Sequence, residues 1–136
     1  MLKNLIERIK INEGFSSTVY KCSLGYDTIG YGEAIKDMEM TEEEASERLE
    51  KRLKKRIAHL EKTLDWFKDL PPEVQSVVTE MTYQLGVTGF LKFKKCIANM
   101  KDKNWKGAAD EMLDSLWAKQ TSKRANRLAS IVAEHG

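Results

Sequence analysis

Cysteine, histidine and proline are scarce in this chain, with two of each in 136 residues. Cys22 and Cys96 stand 74 positions apart with no CxxC spacing. That arrangement gives neither a metal signature nor a disulfide framework, and reduced cytosolic thiols are the expectation. Neither His59 nor His135 is near Cys22 in sequence, so a Cys–His nucleophile pair would have to be assembled by folding. No metal and no cofactor is expected. No apolar run approaches the ~18–20 residues of a membrane span. The opening stretch MLKNLIERIKINEG mixes Lys3, Glu7, Arg8 and Lys10 into its apolar positions. It reads as an amphipathic helix and not as a secretory core, so no export signal is expected. Charge of one sign is also in short supply. The formal net charge is +2, which permits a polyanionic surface as partner but does not demand one. Internal repeats and low-complexity segments are lacking as well.

What is present points to one soluble globular domain, 41% hydrophobic and 32% charged. Leu2, Leu5, Ile6 and Ile9 form one helical face, with a stop at Gly14. From Phe15 to Gly32 the texture changes to Ser, Thr, Tyr and Val punctuated by glycine. Two or three short antiparallel strands are expected there, with a hairpin connection at Ser23-Leu24-Gly25. Thr41-Glu42-Glu43-Glu44 is a capping box and opens a long amphipathic helix over about 41–62. Its outer faces are dense in Lys, Arg and Glu, and such a run is ordinarily a solvated face.

Pro71-Pro72 opens the next helix, which carries Val74, Val77, Val78, Met81 and Leu85 inward as far as Gly86. A tight turn between Gly86 and Gly89 then leads to a shorter helix with Phe90, Phe93, Ile97 and Met100. Another helix runs from Trp105 through Leu116 and Trp117. Thr121 is expected to cap the last, with Ala125, Leu128, Ala129 and Val132 buried. The architecture is α+β, with a small sheet-bearing lobe over about 13–40, a connecting helix, and a helical lobe over about 70–136 that also takes in helix 1–12. A cleft between the two lobes is the natural place for a ligand.

Glu13 is the first candidate for chemistry. It ends the first helix beside a glycine, where the negative end of the helix dipole disfavours its charged form, as a general acid requires. Thr28, in a strand, can hold a water in one orientation, although a strand threonine is commonly just propensity. Cys22 alone is more often a small buried hydrophobe than a reactive thiol. Gln84 at a helix end and Arg124 and Arg127 in SKRANR are surface groups on local evidence; one of the arginines could pair with Glu13.

Taken together, these residues fall into a pattern. Glu13, eight residues, Cys22, five residues, Thr28, then IGYG resembles the phage-type (T4-like) lysozyme family, glycoside hydrolase family 24. MTYQLGVTGFLKF (Met81 to Phe93) and the segment from Trp105 through AAD…LW..QT..RANR to Arg127 resemble further parts of that family, so nearly the whole chain is covered in order. The resemblance implies a lysozyme-like fold. It also implies hydrolysis of the β-1,4 bond between N-acetylmuramic acid and N-acetylglucosamine in peptidoglycan, with inversion, by a monomeric endolysin that lyses cells. By position, Glu13 is the general acid, Cys22 and Thr28 flank the attacking water, Arg124 pairs with Glu13, and Gln84 touches the sugar chain.

Two residues depart from relatives of this family. Cys22 stands where the best-studied members carry Asp, although the pattern admits Cys. Glu33 stands where many carry His, and it would set a second carboxylate near Glu13. A free thiol titrates at roughly 8.5, so Cys22 is expected to position water together with Thr28 more than to ionise it; a covalent thioglycoside is the alternative. The rival function is a non-catalytic wall-binding or regulatory protein that keeps the fold. Nucleic acid is not expected as a partner, because Glu47, Glu50 and Glu61 interrupt the basic helix. Nor is stable membrane insertion; synthesis in a bacterial cytoplasm, with access to the wall after a membrane lesion, is what the resemblance implies.

Overall fold

The computed structural model describes residues 1–135. The chain divides into two compact units, Met1–Ser46 and a second from Glu47 onward. The fold is α+β as expected, with one three-stranded antiparallel sheet and seven α-helices among the described residues.

The first unit opens with α1 (Leu2–Glu13), followed by β1 (Ser16–Lys21), β2 (Asp27–Gly30) and β3 (Glu33–Ala34) in the order β1-β2-β3. The β1–β2 hairpin turns where Ser23-Leu24-Gly25 suggested. Gly25 N donates to Cys22 O at 2.8 Å, and Cys22 N donates to Tyr26 O at 2.9 Å. Tyr20 pairs with Thr28, Thr28 with Ala34, and Ile29 with Glu33. A register irregularity between Ser16 and Tyr20 bends β1. The apolar stripe of α1 is not buried, with Leu2, Ile6 and Ile9 at 65%, 42% and 44% exposure. Periodicity identified this helix correctly but overstated its burial. In this unit Thr28, a polar residue, is the buried one among the described residues.

Helix α2 (Glu42–Thr63) crosses the boundary between the units. Its capping box forms as read: Glu44 N donates to Thr41 Oγ1 and Thr41 N to Glu44 Oε1, both at 3.1 Å. In the second unit α3 (Pro72–Leu91) starts at the proline pair and breaks at Gly86 (φ 76, ψ 162). The short piece beyond the break holds Phe90, and α4 (Lys94–Lys101) begins after Phe93, later than the sequence reading placed it. The core gathers Leu60, Phe67, Val74, Val77, Met81 and Phe90 with the inward faces of the later helices. Cys96 belongs to it, and burial, with the Glu111 carboxylate adding, pushes its thiol up to about 12.

The expected single helix after Trp105 is two, α5 (Trp105–Leu113) and α6 (Leu116–Gln120). Ser115 makes the break. Its hydroxyl donates to Met112 O at 2.7 Å and accepts from Ala118 N at 3.1 Å, so one side chain closes α5 and caps α6. The apolar spacing runs through this break, which is why it misled, and Leu113 and Leu116 are left exposed. Thr121 precedes α7 (Ser122–Ala133) but its side chain does not cap it. Its hydroxyl donates backward to Trp117 O at 2.9 Å. Ala125, Leu128, Ala129 and Val132 of α7 are buried as expected.

Replacing Ser115 by Ala removes a cap and a helix-terminal acceptor's partner together. Stability should fall by about 1–2 kcal/mol in urea denaturation, against a few tenths for the exposed control Ser130→Ala on α7.

Candidate active site

In the first unit the sheet register decides which side chains share a face. Cross-strand partners point the same way, and alternate residues on one strand do too. Tyr20 and Thr28 are partners, so their side chains stand on one face of the sheet; Cys22 follows just past the end of β1, with the Thr28 side chain beside it. Thr28 is 2% exposed, and its Oγ1 donates to Tyr26 O at 2.8 Å. With its proton committed, the oxygen's lone pairs remain to accept. Cys22 is half-buried. Backbone hydrogen bonding from Tyr26, then from Leu24, with the Thr28 side chain adding, holds its thiol below the ordinary thiol range; partial burial works against this. The structure thus brings Cys22 and Thr28 together.

Glu13, the last residue of α1, shares a cavity of about 230 Å³ with Ser16 and Tyr20, so it opens toward the strand residue paired with Thr28. Its carboxylate also lies against Gly32, the second glycine of IGYG. A Cβ at Gly32 would sit 2.7 Å from Glu13 Cδ, and the backbone there has φ +80. The positive φ makes any side chain strained at this position, and a Cβ there would also displace the Glu13 carboxylate. Three residues before Glu13, on the same face of α1, Lys10 lies 5.4 Å from the Tyr31 ring centroid, and Phe15 packs on the same ring at 5.5 Å. Helix and sheet are tied through Tyr31 and Gly32 at once.

Glu33 is not gathered in. It pairs with Ile29, so its side chain stands on the face opposite Thr28. On that opposite face Lys21 also bridges to Asp27 at 2.8 Å.

In the second unit Gln84 Oε1 accepts from the buried Trp117 indole at 3.0 Å, linking α3 to α6. One turn earlier on α3, Glu80 Oε2 receives Arg124 Nε at 2.8 Å. The carboxylate that Arg124 holds is thus Glu80; the sequence reading had given that cation to Glu13. The pair edges an apolar cavity of about 460 Å³ floored by Leu53, Ile57 and Phe67. Arg127 is exposed.

A model of the phage lysozyme family matches residues 10–132. This chain belongs to the phage lysozyme family. It is 29% identical over a 161-residue alignment to Probable T4-type lysozyme 1 of Dictyostelium discoideum, covering 97% of this chain and 95% of that one. Probable T4-type lysozyme 2 of the same organism is 28% identical, with 96% and 94% covered. The Pre-baseplate central spike protein Gp5 of Enterobacteria phage T4 is 27% identical over 95% of this chain but only 27% of its own length. As a member of this family the protein is a glycoside hydrolase, and the lysozyme-like α+β architecture accords with that.

Sequence reasoning overlooked two residues of this lysozyme. Tyr20 faces Glu13's cavity beside Thr28, and only the strand register reveals it. Glu80 was detectable in principle, because it lies four residues before Gln84 on one helix face.

Two measurements check this geometry. Gly32→Ala should cut hydrolytic activity about a hundredfold by displacing the Glu13 carboxylate. Gly30→Ala, with open space around its Cβ, should lose comparable stability but keep most of its activity. Iodoacetamide at pH 8 should alkylate Cys22 and spare folded Cys96, and the Cys22 rate profile should turn at a lower pH than that of a cysteine peptide.

Proposed function

We propose that this lysozyme hydrolyses the β-1,4 bond between N-acetylmuramic acid and N-acetylglucosamine of peptidoglycan with inversion. Glu13 is the general acid, and Cys22 and Thr28 hold the attacking water. The observation that carries the reading is the shared face: Glu13 opens onto the cavity of Tyr20, whose strand partner is Thr28 and whose near neighbour is Cys22.

Inversion needs a proton for the leaving oxygen and a water on the opposite side of the sugar ring. Glu13 donates its proton to the glycosidic oxygen as the bond to the anomeric carbon breaks. The water gives one hydrogen bond to Thr28 Oγ1, whose own proton is engaged by Tyr26 O, and one to Cys22 Sγ. Its lone pair is then free to turn toward the anomeric carbon. As the new C–O bond forms, the water's surplus proton passes to the sulfur or to solvent. Only the thiolate form of Cys22 can take that proton, and a thiol held below its ordinary range is ionised in a larger share of molecules; the resulting base is weak, so the sulfur serves chiefly to hold the water. As the family resemblance implies, Gln84 touches the glycan. In this reading the protein is a monomeric endolysin that reaches the wall once the membrane is permeabilised. No described helix is long and apolar enough to cross a membrane.

Glu13→Gln should lower turnover of purified peptidoglycan by at least about a hundredfold, since no other group supplies the proton. Cys22→Ser should retain much of the activity and Cys22→Asp should be active. Equal loss in Glu13→Gln and Cys22→Ser, or a product that keeps its anomeric configuration by NMR, would make the sulfur a nucleophile and end the water-holding reading.

A further inference from the structure

Helix α2 separates its charges by side. At 3.6 residues per turn, Arg48, Arg52, Lys55, Arg56 and His59 fall within about a third of the circumference, while Glu47, Glu50 and Glu61 fall on the far side. Two of those carboxylates are occupied there, Glu50 with Lys54 at 3.3 Å and Glu61 with Lys68 at 4.0 Å. Among the described residues no ion pair engages Arg52, Lys55, Arg56 or His59. Two of these cations are held in place by α3. Arg52 Nη1 donates to the Tyr83 hydroxyl at 3.3 Å, and Arg56 Nη1 donates to Thr82 O at 3.3 Å. With Lys55, His59 and Val87 they line a concavity of about 480 Å³. Ordinary solvated faces mix their charges; this one collects one sign in a concave surface with two guanidinium groups already positioned.

We propose that this stripe binds a phosphodiester-linked polyol polymer of the bacterial wall. The source rests on the peptidoglycan reading above; the phosphate chemistry rests on the stripe. From Arg52 to His59 it extends about 10 Å along the helix, enough to meet more than one phosphate of a linear chain. A membrane surface is a poorer match. The exposed aliphatics of α2, Leu49 and Ile57, border the cations on one side but line the apolar cavity with Leu53 and residues of α3, so they do not project as an interfacial anchor. A nucleic acid is also a poorer match, because the face of Tyr83 is taken up by Arg52, 5.0 Å from its centroid, and bases gain most from free aromatic faces.

The test compares two double variants of the full chain that remove equal charge. Arg52→Gln with Lys55→Gln alters the stripe; Lys51→Gln with Lys54→Gln alters the neighbouring side. Binding of poly(glycerol phosphate) is measured by calorimetry across a salt series. The stripe variant should weaken binding about tenfold at low salt and lower the slope of log K against log salt by about one to two. The control variant should change affinity less than about threefold. Equal losses in both variants, no binding by the parent protein, or equal or tighter binding of single-stranded DNA or of phosphatidylglycerol vesicles would overturn the proposal. Hydrolysis of polymer-free peptidoglycan is followed in parallel. Its absence in the parent protein sinks the peptidoglycan reading, whereas loss of polymer binding in the stripe variant with hydrolysis intact is the result that this site requires.

Discussion

The close approach of the Glu13 side chain to Gly32 is the constraint on which the rest of the first unit depends. It fixes the end of α1 against the turn between β2 and β3. Glu13 is exposed, and a side chain at position 32 would push its carboxylate away. The neighbouring Lys10–Tyr31 and Phe15–Tyr31 contacts hold the same junction. The short run IGYG is therefore best understood as a seat for a carboxylate. Its first glycine serves the strand, and its second serves the acid.

The sheet then performs a sorting function. Because side chains alternate, a single register decides that Tyr20 and Thr28 face together while Glu33 faces away. The buried Thr28 hydroxyl is polarised by a carbonyl, and the sulfur is held by backbone groups of the hairpin turn.

Much of this was legible in the linear chain, and the physical reasons are specific. Thr41 and Glu44 predict their own hydrogen bonds, because a capping box is a local device. The proline pair at 71–72 marks a helix start for the same reason. The spacing from Glu13 to Cys22 to Thr28, followed by IGYG, points to the family because it is a local pattern of the chain. What remained hidden depends on partners remote in sequence or on competing hydrogen bonds. Arg124 could not be matched to Glu80, 44 residues away. Ser115 interrupts a helix whose apolar rhythm continues unbroken. Thr121 resembles a cap, yet its hydroxyl is drawn to the carbonyl of Trp117.

The distribution of buried residues has a consequence for endurance. Aliphatic and aromatic packing is concentrated in the second unit, whereas the segment that carries the acid, the thiol and the threonine is tied by hydrogen bonds, ring contacts and one hairpin. Cooperative opening of that segment exposes little apolar surface, so it depends only weakly on the hydrophobic term that steadies the helices. On warming, the enzyme would lose its working surface while the far-ultraviolet helical signal is still nearly intact, and cooling would restore it without any renewed search for the main core.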